Sequence, residues 1–121
     1  AENLYKALAQ VEFLVVQGVM VPDRLVSLAN AVLPTLTATE STGTYTNVER
    51  RLQLVNPIID PVVEADPVWA TLDKLARVMD RDLLKFNVAE DVFNEMSGKM
   101  SGYDGYSYDS LRSLETGPLL I

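Results

Sequence analysis

The chain contains neither cysteine nor histidine. Zinc, haem and iron–sulfur centres take their ligands mainly from thiolate and imidazole, so these residues alone cannot build one. Cysteine nucleophiles, Ser-His-Asp triads and imidazole proton shuttles are excluded within the chain for the same reason. An all-carboxylate Mg²⁺ or Ca²⁺ site needs neither residue, but no Asp-x-Asp-x-Asp-Gly loop is present. With no thiol to oxidise, the sequence carries no mark of its redox compartment. Long apolar runs are also missing. The longest, Phe13 to Val16, is strand-sized and far short of the ~20 residues a spanning helix needs. No basic stretch leads into an apolar one near the start, which predicts no signal peptide and a cytoplasmic location.

Positive charge is scarce. Ten basic residues face 17 acidic ones, for a net charge of −7. A phosphate-backbone partner calls for a basic stripe to displace counterions, and the only compact basic cluster is Arg50-Arg51. Nucleic acid and direct membrane insertion are therefore not expected. The length of 121 residues and the apolar share of 48% suit one small domain or domain fragment, spanning 1–121.

What is present reads as alternating helix and strand. Leu4, Ala7 and Leu8 share a helical face over residues 2–10. Glu12 to Gln17 is an apolar, β-branched run ended by Gly18, as in a strand buried on both faces of a parallel sheet. Pro22 and Asp23 suit the opening of a short helix through about Ala29. Ala31 to Pro34 predicts a second short strand. Helix, strand, helix, strand is half of a doubly wound α/β layout. Residues 35–43 are small and polar, a loop. Thr44 to Thr46 favours extended structure, and Arg51 to Val55 alternates as a half-exposed strand does. Pro57, Pro61 and Pro67 keep the next stretch extended. Asp66 as N-cap and Pro67 at the first helical position predict a helix with Trp69, Leu72, Leu75, Ala76 and Met79 inward and Asp73, Lys74 and Arg77 outward. A further helix from about Val88 to Met96 would be capped by Asn87. Ser110 to Leu114 predicts one more turn before Gly117-Pro118.

The most distinctive string is Glu40-Ser-Thr-Gly43-Thr44-Tyr-Thr-Asn47-Val-Glu49-Arg50-Arg51-Leu-Gln53. Gly43 permits a sharp turn, and Asn47, Glu49, Arg50, Arg51 and Gln53 crowd directional hydrogen-bonding groups together. Two adjacent guanidiniums can pair bidentately with carboxylate or phosphate. By spacing alone, a turn with local ion pairs on a sheet edge is the favoured account of the string. Four other groups each admit a functional and a bland reading. Trp69 with Leu72, Leu75 and Met79 frames a pocket or simply packs a core. Tyr103, Tyr106 and Tyr108 stack on a ligand ring or dock onto their own domain, the commoner outcome. Asp80, Asp82, Glu90 and Asp91 make a solvated face, and Glu40 with Glu49 would make a carboxylate pair only if the turn brings them together.

The long string resembles the Glu-x-x-Gly-Thr-x-x-Asn-x-Glu-(Gly or Arg)-Arg-x-Gln signature of molybdopterin oxidoreductase large subunits and their relatives in respiratory complex I. Weaker blocks in the same order extend the resemblance along nearly the whole chain: Glu12 to Gln17, Ser27 to Pro34, Asp66 to Trp69, and Val92 to Glu95 with Tyr103 to Tyr108. The resemblance implies a fragment of a doubly wound (Rossmann-like) domain, followed by a short β segment and two C-terminal helices. It implies that the iron–sulfur ligands and the catalytic residues lie upstream, leaving this chain non-catalytic and without a cofactor of its own. The parent would carry iron–sulfur clusters and, in some branches, molybdopterin guanine dinucleotide. Asn47, Arg50, Arg51 and Gln53 would then lie near the dinucleotide.

Two branches of the family fit. Val21-Pro22-Asp23-Arg24 stands where cofactor-binding relatives have Thr-Glu-Thr-Ala. That change favours the molybdopterin-like large subunit (chain 3) of bacterial NADH–quinone oxidoreductase, in which this stretch would be a structural segment of the electron-input arm. Its partners would be the rest of the subunit and neighbouring subunits of a respiratory complex peripheral to the inner membrane. The Glu-Arg-Arg form at Glu49 to Arg51 favours a formate dehydrogenase alpha subunit instead. An unpaired edge strand also predicts a homodimer for the isolated chain.

Overall fold

Short-range sequence patterns set up nine elements among residues 2–81 and 85–113, the parts that the computed structural model of the chain describes. They are α1 (Glu2–Leu8), β1 (Val15–Gly18), α2 (Asp23–Val26), β2 (Ala31–Pro34), β3 (Gly43–Thr46), β4 (Leu52–Val55), α3 (Val68–Val78), α4 (Ala89–Ser97) and α5 (Tyr108–Arg112). Asp82, Leu114 and Gly117-Pro118 fall outside the described residues. The architecture is mixed α/β, with two small sheets.

β1 and β2 pair in parallel, Val15 beside Ala31 and Gly18 beside Pro34. The crossover between them carries α2, as a parallel pair requires. Asn30 begins the ladder. Its backbone N–H donates to the Leu14 carbonyl and its Oδ1 accepts from the Leu14 N–H, both at 2.8 Å. α2 proper ends at Val26, and a further turn carries the chain to Ala29, whose N–H donates to the Leu25 carbonyl at 3.0 Å. Arg24 reaches back from α2 to grip both carboxylate oxygens of Glu2 at 2.8 Å, and its guanidinium lies 4.1 Å from the centre of the Tyr5 ring. That bidentate contact holds Glu2 below its ordinary carboxylate pKa and raises that of Arg24. The expected burial of β1 on both faces is not found. Phe13 is 67% exposed and Val15 is also open, because no described element packs extensively over the faces of the pair.

β3 and β4 form an antiparallel hairpin, with Thr46 opposite Leu52 and Gly43 opposite Val55. α4 and α5 pack on one face of it and supply the core: Leu52 (1% exposed), Phe93, Tyr108 and Leu111, flanked by Leu54, Met96, Tyr103 and Tyr106. The Phe93 and Tyr108 rings meet at 5.7 Å with a tilt of 49°, a favourable aromatic geometry. Burial raises the Tyr108 pKa, reinforced by the nearby Glu90 charge, so the phenol stays neutral. The tyrosine cluster thus docks on its own domain.

α3 departs from expectation at two points. Its N-cap is Pro67, with no side-chain cap, because the Asp66 carboxylate takes the Lys74 ammonium at 2.6 Å. Its apolar stripe is only partly inward: Trp69 and Ala76 are half-buried, but Leu72, Leu75 and Met79 are about half exposed or more, while Asp73, expected outward, is only 6% exposed. Asp73 accepts from Arg77 Nε at 2.7 Å through one oxygen, and its other oxygen is buried without a partner. No described element packs extensively against that stripe. At α4 the Asn87 cap is also not made. The Asp91 carboxylate reaches back instead to the N–H groups of Asn87 and Val88, at 2.8 and 3.1 Å.

Candidate functional site

The signature string folds into a loop, the β3–β4 hairpin and its tip. Glu40 acts first. Its Oε2 accepts from the N–H and hydroxyl of Thr37 at 2.8 and 2.7 Å, and its Oε1 accepts from the N–H of Val62 at 3.1 Å. The Thr39 carbonyl adds bonds from Ile58 and Ile59 at 2.9 and 3.2 Å. The loop after β2 is thereby fastened to the proline-bounded strap at 58–62. Those hydrogen bonds, led by the Thr37 hydroxyl, hold the Glu40 carboxyl below its ordinary pKa. Glu40 is spent on structure, and Glu49 pairs instead with Arg51 Nε at 3.3 Å. No general acid–base pair of the two is assembled.

At the tip, Asn47 is the organising residue. Its Oδ1 accepts from the N–H groups of both Glu49 and Arg51 at 2.9 Å. The Arg50 N–H donates to the Asn47 carbonyl, and the Asn47 N–H to the Arg51 carbonyl, each at 3.0 Å. This is a type I turn followed by one residue in the left-handed region, the usual three-residue hairpin connection. The left-handed residue is Arg50, with φ of 61°. Glycine normally fills that place, because a Cβ there costs roughly 1–2 kcal/mol. Of Gly and Arg, the two residues that the resembled signature admits here, Gly suits this geometry and Arg is strained in it.

Strand alternation sorts the remaining candidates. Leu52 faces the core, so Arg51 and Gln53 share the outer face, where Tyr45 is the cross-strand neighbour of Gln53. Asn47, Arg50 and Gln53 are exposed and Arg51 is half-buried. The structure brings the four expected residues together at one end of the hairpin, on a convex surface. They line neither of the clefts between the 35–42 loop, the start of α3 and α4.

Two adjoining clefts lie elsewhere, between the 35–42 loop, the start of α3 and α4. One of about 480 Å³ is walled by Glu40, Trp69, Asn87, Tyr108 and Arg112. The other, of about 430 Å³, is lined by Tyr45, Leu72, Phe93 and Met96. Trp69 borders both, and its indole N–H is buried without a partner. The described residues contain no cluster of carboxylates suited to a metal ion. Among them, no helix is long and apolar enough to cross a membrane.

A family model for molybdopterin oxidoreductases matches residues 1–78. The chain belongs to the molybdopterin oxidoreductase family. It is 37% identical over 112 residues to the F420-dependent formate dehydrogenase subunit alpha of Methanocaldococcus jannaschii, covering 92% of this chain and 16% of that protein. It is 36% identical over 110 residues to the F420-dependent formate dehydrogenase 2 subunit alpha of Methanococcus maripaludis, covering 90% of this chain and again 16% of the relative. The chain thus spans a small part of the length of the curated relatives it matches.

Proposed function

We propose that the chain is a non-catalytic segment of the alpha subunit of a formate dehydrogenase-type molybdopterin oxidoreductase. One observation carries this reading: relatives more than one-third identical over nine-tenths of the chain bear the formate dehydrogenase name. They support it better than the expected parentage in the large subunit of NADH–quinone oxidoreductase. Glu49-Arg50-Arg51 favours the same branch. The Val21 to Arg24 stretch, replacing the Thr-Glu-Thr-Ala of cofactor-binding relatives, favours the complex I branch instead.

In this reading the molybdenum or tungsten ligands and the iron–sulfur clusters belong to other parts of the parent, because thiolate and imidazole are missing here. A pterin dinucleotide brings the redox-active metal and its phosphates. The fit of the candidate residues to it is partial. Asn47 has its side-chain carbonyl committed to the turn. Arg51 and Gln53 share an open face that offers one wall, and the described residues supply no opposing one. The role of this chain is to hold that wall in place.

The whole gene product tests the assignment. Purified anaerobically, it is expected to contain molybdenum or tungsten by elemental analysis and to reduce a viologen dye with formate. NADH oxidation with iron but neither metal would return the chain to the complex I branch.

A further inference from the structure

Arg50 occupies a backbone position made for glycine, and its side chain gives nothing back to the described fold. It has no hydrogen bond or ion pair there, whereas Arg24, Arg51, Arg77 and Arg112 are all engaged. Beside it at the tip, Val48 is fully exposed. The tip is therefore a knob bearing one apolar side chain and one uncommitted guanidinium on a strained turn.

We propose that this knob, Val48 with Arg50, docks into a polypeptide surface of the same gene product outside residues 1–121, where an apolar hollow adjoins a carboxylate. Three observations favour a protein surface over a phosphate ligand. Small-molecule sites are concave, whereas this is a hairpin tip on which Val48 is fully exposed. A phosphate would leave Val48 in water, whereas a protein hollow buries it, and aromatic or arginine anchors inserted in this way commonly dominate docking surfaces. Glu49, exposed on the same tip, opposes a multiply charged phosphate ligand. A single carboxylate meets Arg50 one-to-one, while Arg51 neutralises Glu49. The relatives' much greater length makes room for such a surface. The inference needs only a longer polypeptide and does not rest on formate as the substrate.

Two measurements test it. Arg50→Gly should raise the melting temperature of the 121-residue chain by about 3–5 °C, and should lower that of the whole gene product. A photo-crosslinking residue at position 48 of the whole gene product should label a segment of the same polypeptide that contains Asp or Glu. Reversing that acid to Arg should restore stability to Arg50→Glu. The same direction of change in both contexts would overturn the proposal. So would labelling of a separate subunit, labelling of a bound nucleotide, or absence of any label.

Discussion

Asp80 sits one residue beyond the C-cap of α3 with φ of 55°, the second non-glycine residue in the left-handed region among those described. The Arg81 N–H donates to the Ala76 carbonyl at 2.8 Å, and the Asp80 N–H to that of Arg77 at 3.1 Å, which is the Schellman closure. An aspartate is poorly suited to it twice over. Its Cβ strains the turn, and its charge faces the negative end of the helix dipole. Asp80→Gly should stabilise the chain by about 1 kcal/mol. Urea unfolding would report this as a higher midpoint at an unchanged slope. Neither Asp80 nor Arg50 can be read from the sequence as left-handed, because glycine usually announces that conformation and is missing at both places. Asn47 is legible as a dense hydrogen-bonding residue, but whether its amide serves a ligand or its own turn depends on geometry. Here it serves the turn.

Among the elements, those defined by local chemistry are the most legible. β2 stops at Pro34 as expected, and the hairpin follows from alternation around Leu52 and Leu54. α3 shows where pattern reading fails. Helical periodicity identifies an apolar face, but it cannot say what covers that face. On α3 the apolar face is covered at Trp69 and Ala76 but open at Leu72 and Leu75, while Asp73 is turned inward. The prolines mark the strap at 58–62 as extended, but they say nothing of its fastening by Glu40, since that contact spans 22 residues to Val62. The fastening makes the strap sensitive to acid. The folded pKa of Glu40 lies below its ordinary value of 4.5. Its stabilising contribution is therefore full above that value and lost as pH falls through the lower folded one. Glu2 adds to the same acid-side loss through Arg24. Amide exchange at Val62 should accelerate selectively on acidification below the ordinary carboxylate range, beyond the intrinsic pH trend. In Glu40→Gln, whose side-chain carbonyl still accepts, that extra acid response should vanish. An unchanged profile in the variant would remove Glu40 from this role.

At the scale of the whole molecule, the described residues form two sheets with different degrees of completion. The hairpin with α4 and α5 encloses a core of four buried apolar side chains. The parallel pair, by contrast, leaves Phe13, Val15 and Val32 exposed, although parallel sheets are ordinarily covered on both faces. The way the core is stitched also sets an order of events. Thr46 and Leu52 are close in sequence, so the hairpin closes a short loop on a timescale of about 1–10 μs. Leu111 must arrive from much farther along the chain, and that closure is entropically slower. The hairpin should therefore be largely formed in the folding transition state, with α5 docking afterwards. In stopped-flow experiments, Leu111→Ala should mainly speed unfolding, whereas Asn47→Ala should mainly slow folding. A turn assembled around one asparagine would then act as the kinetic seed of the domain as well as the organiser of its tip.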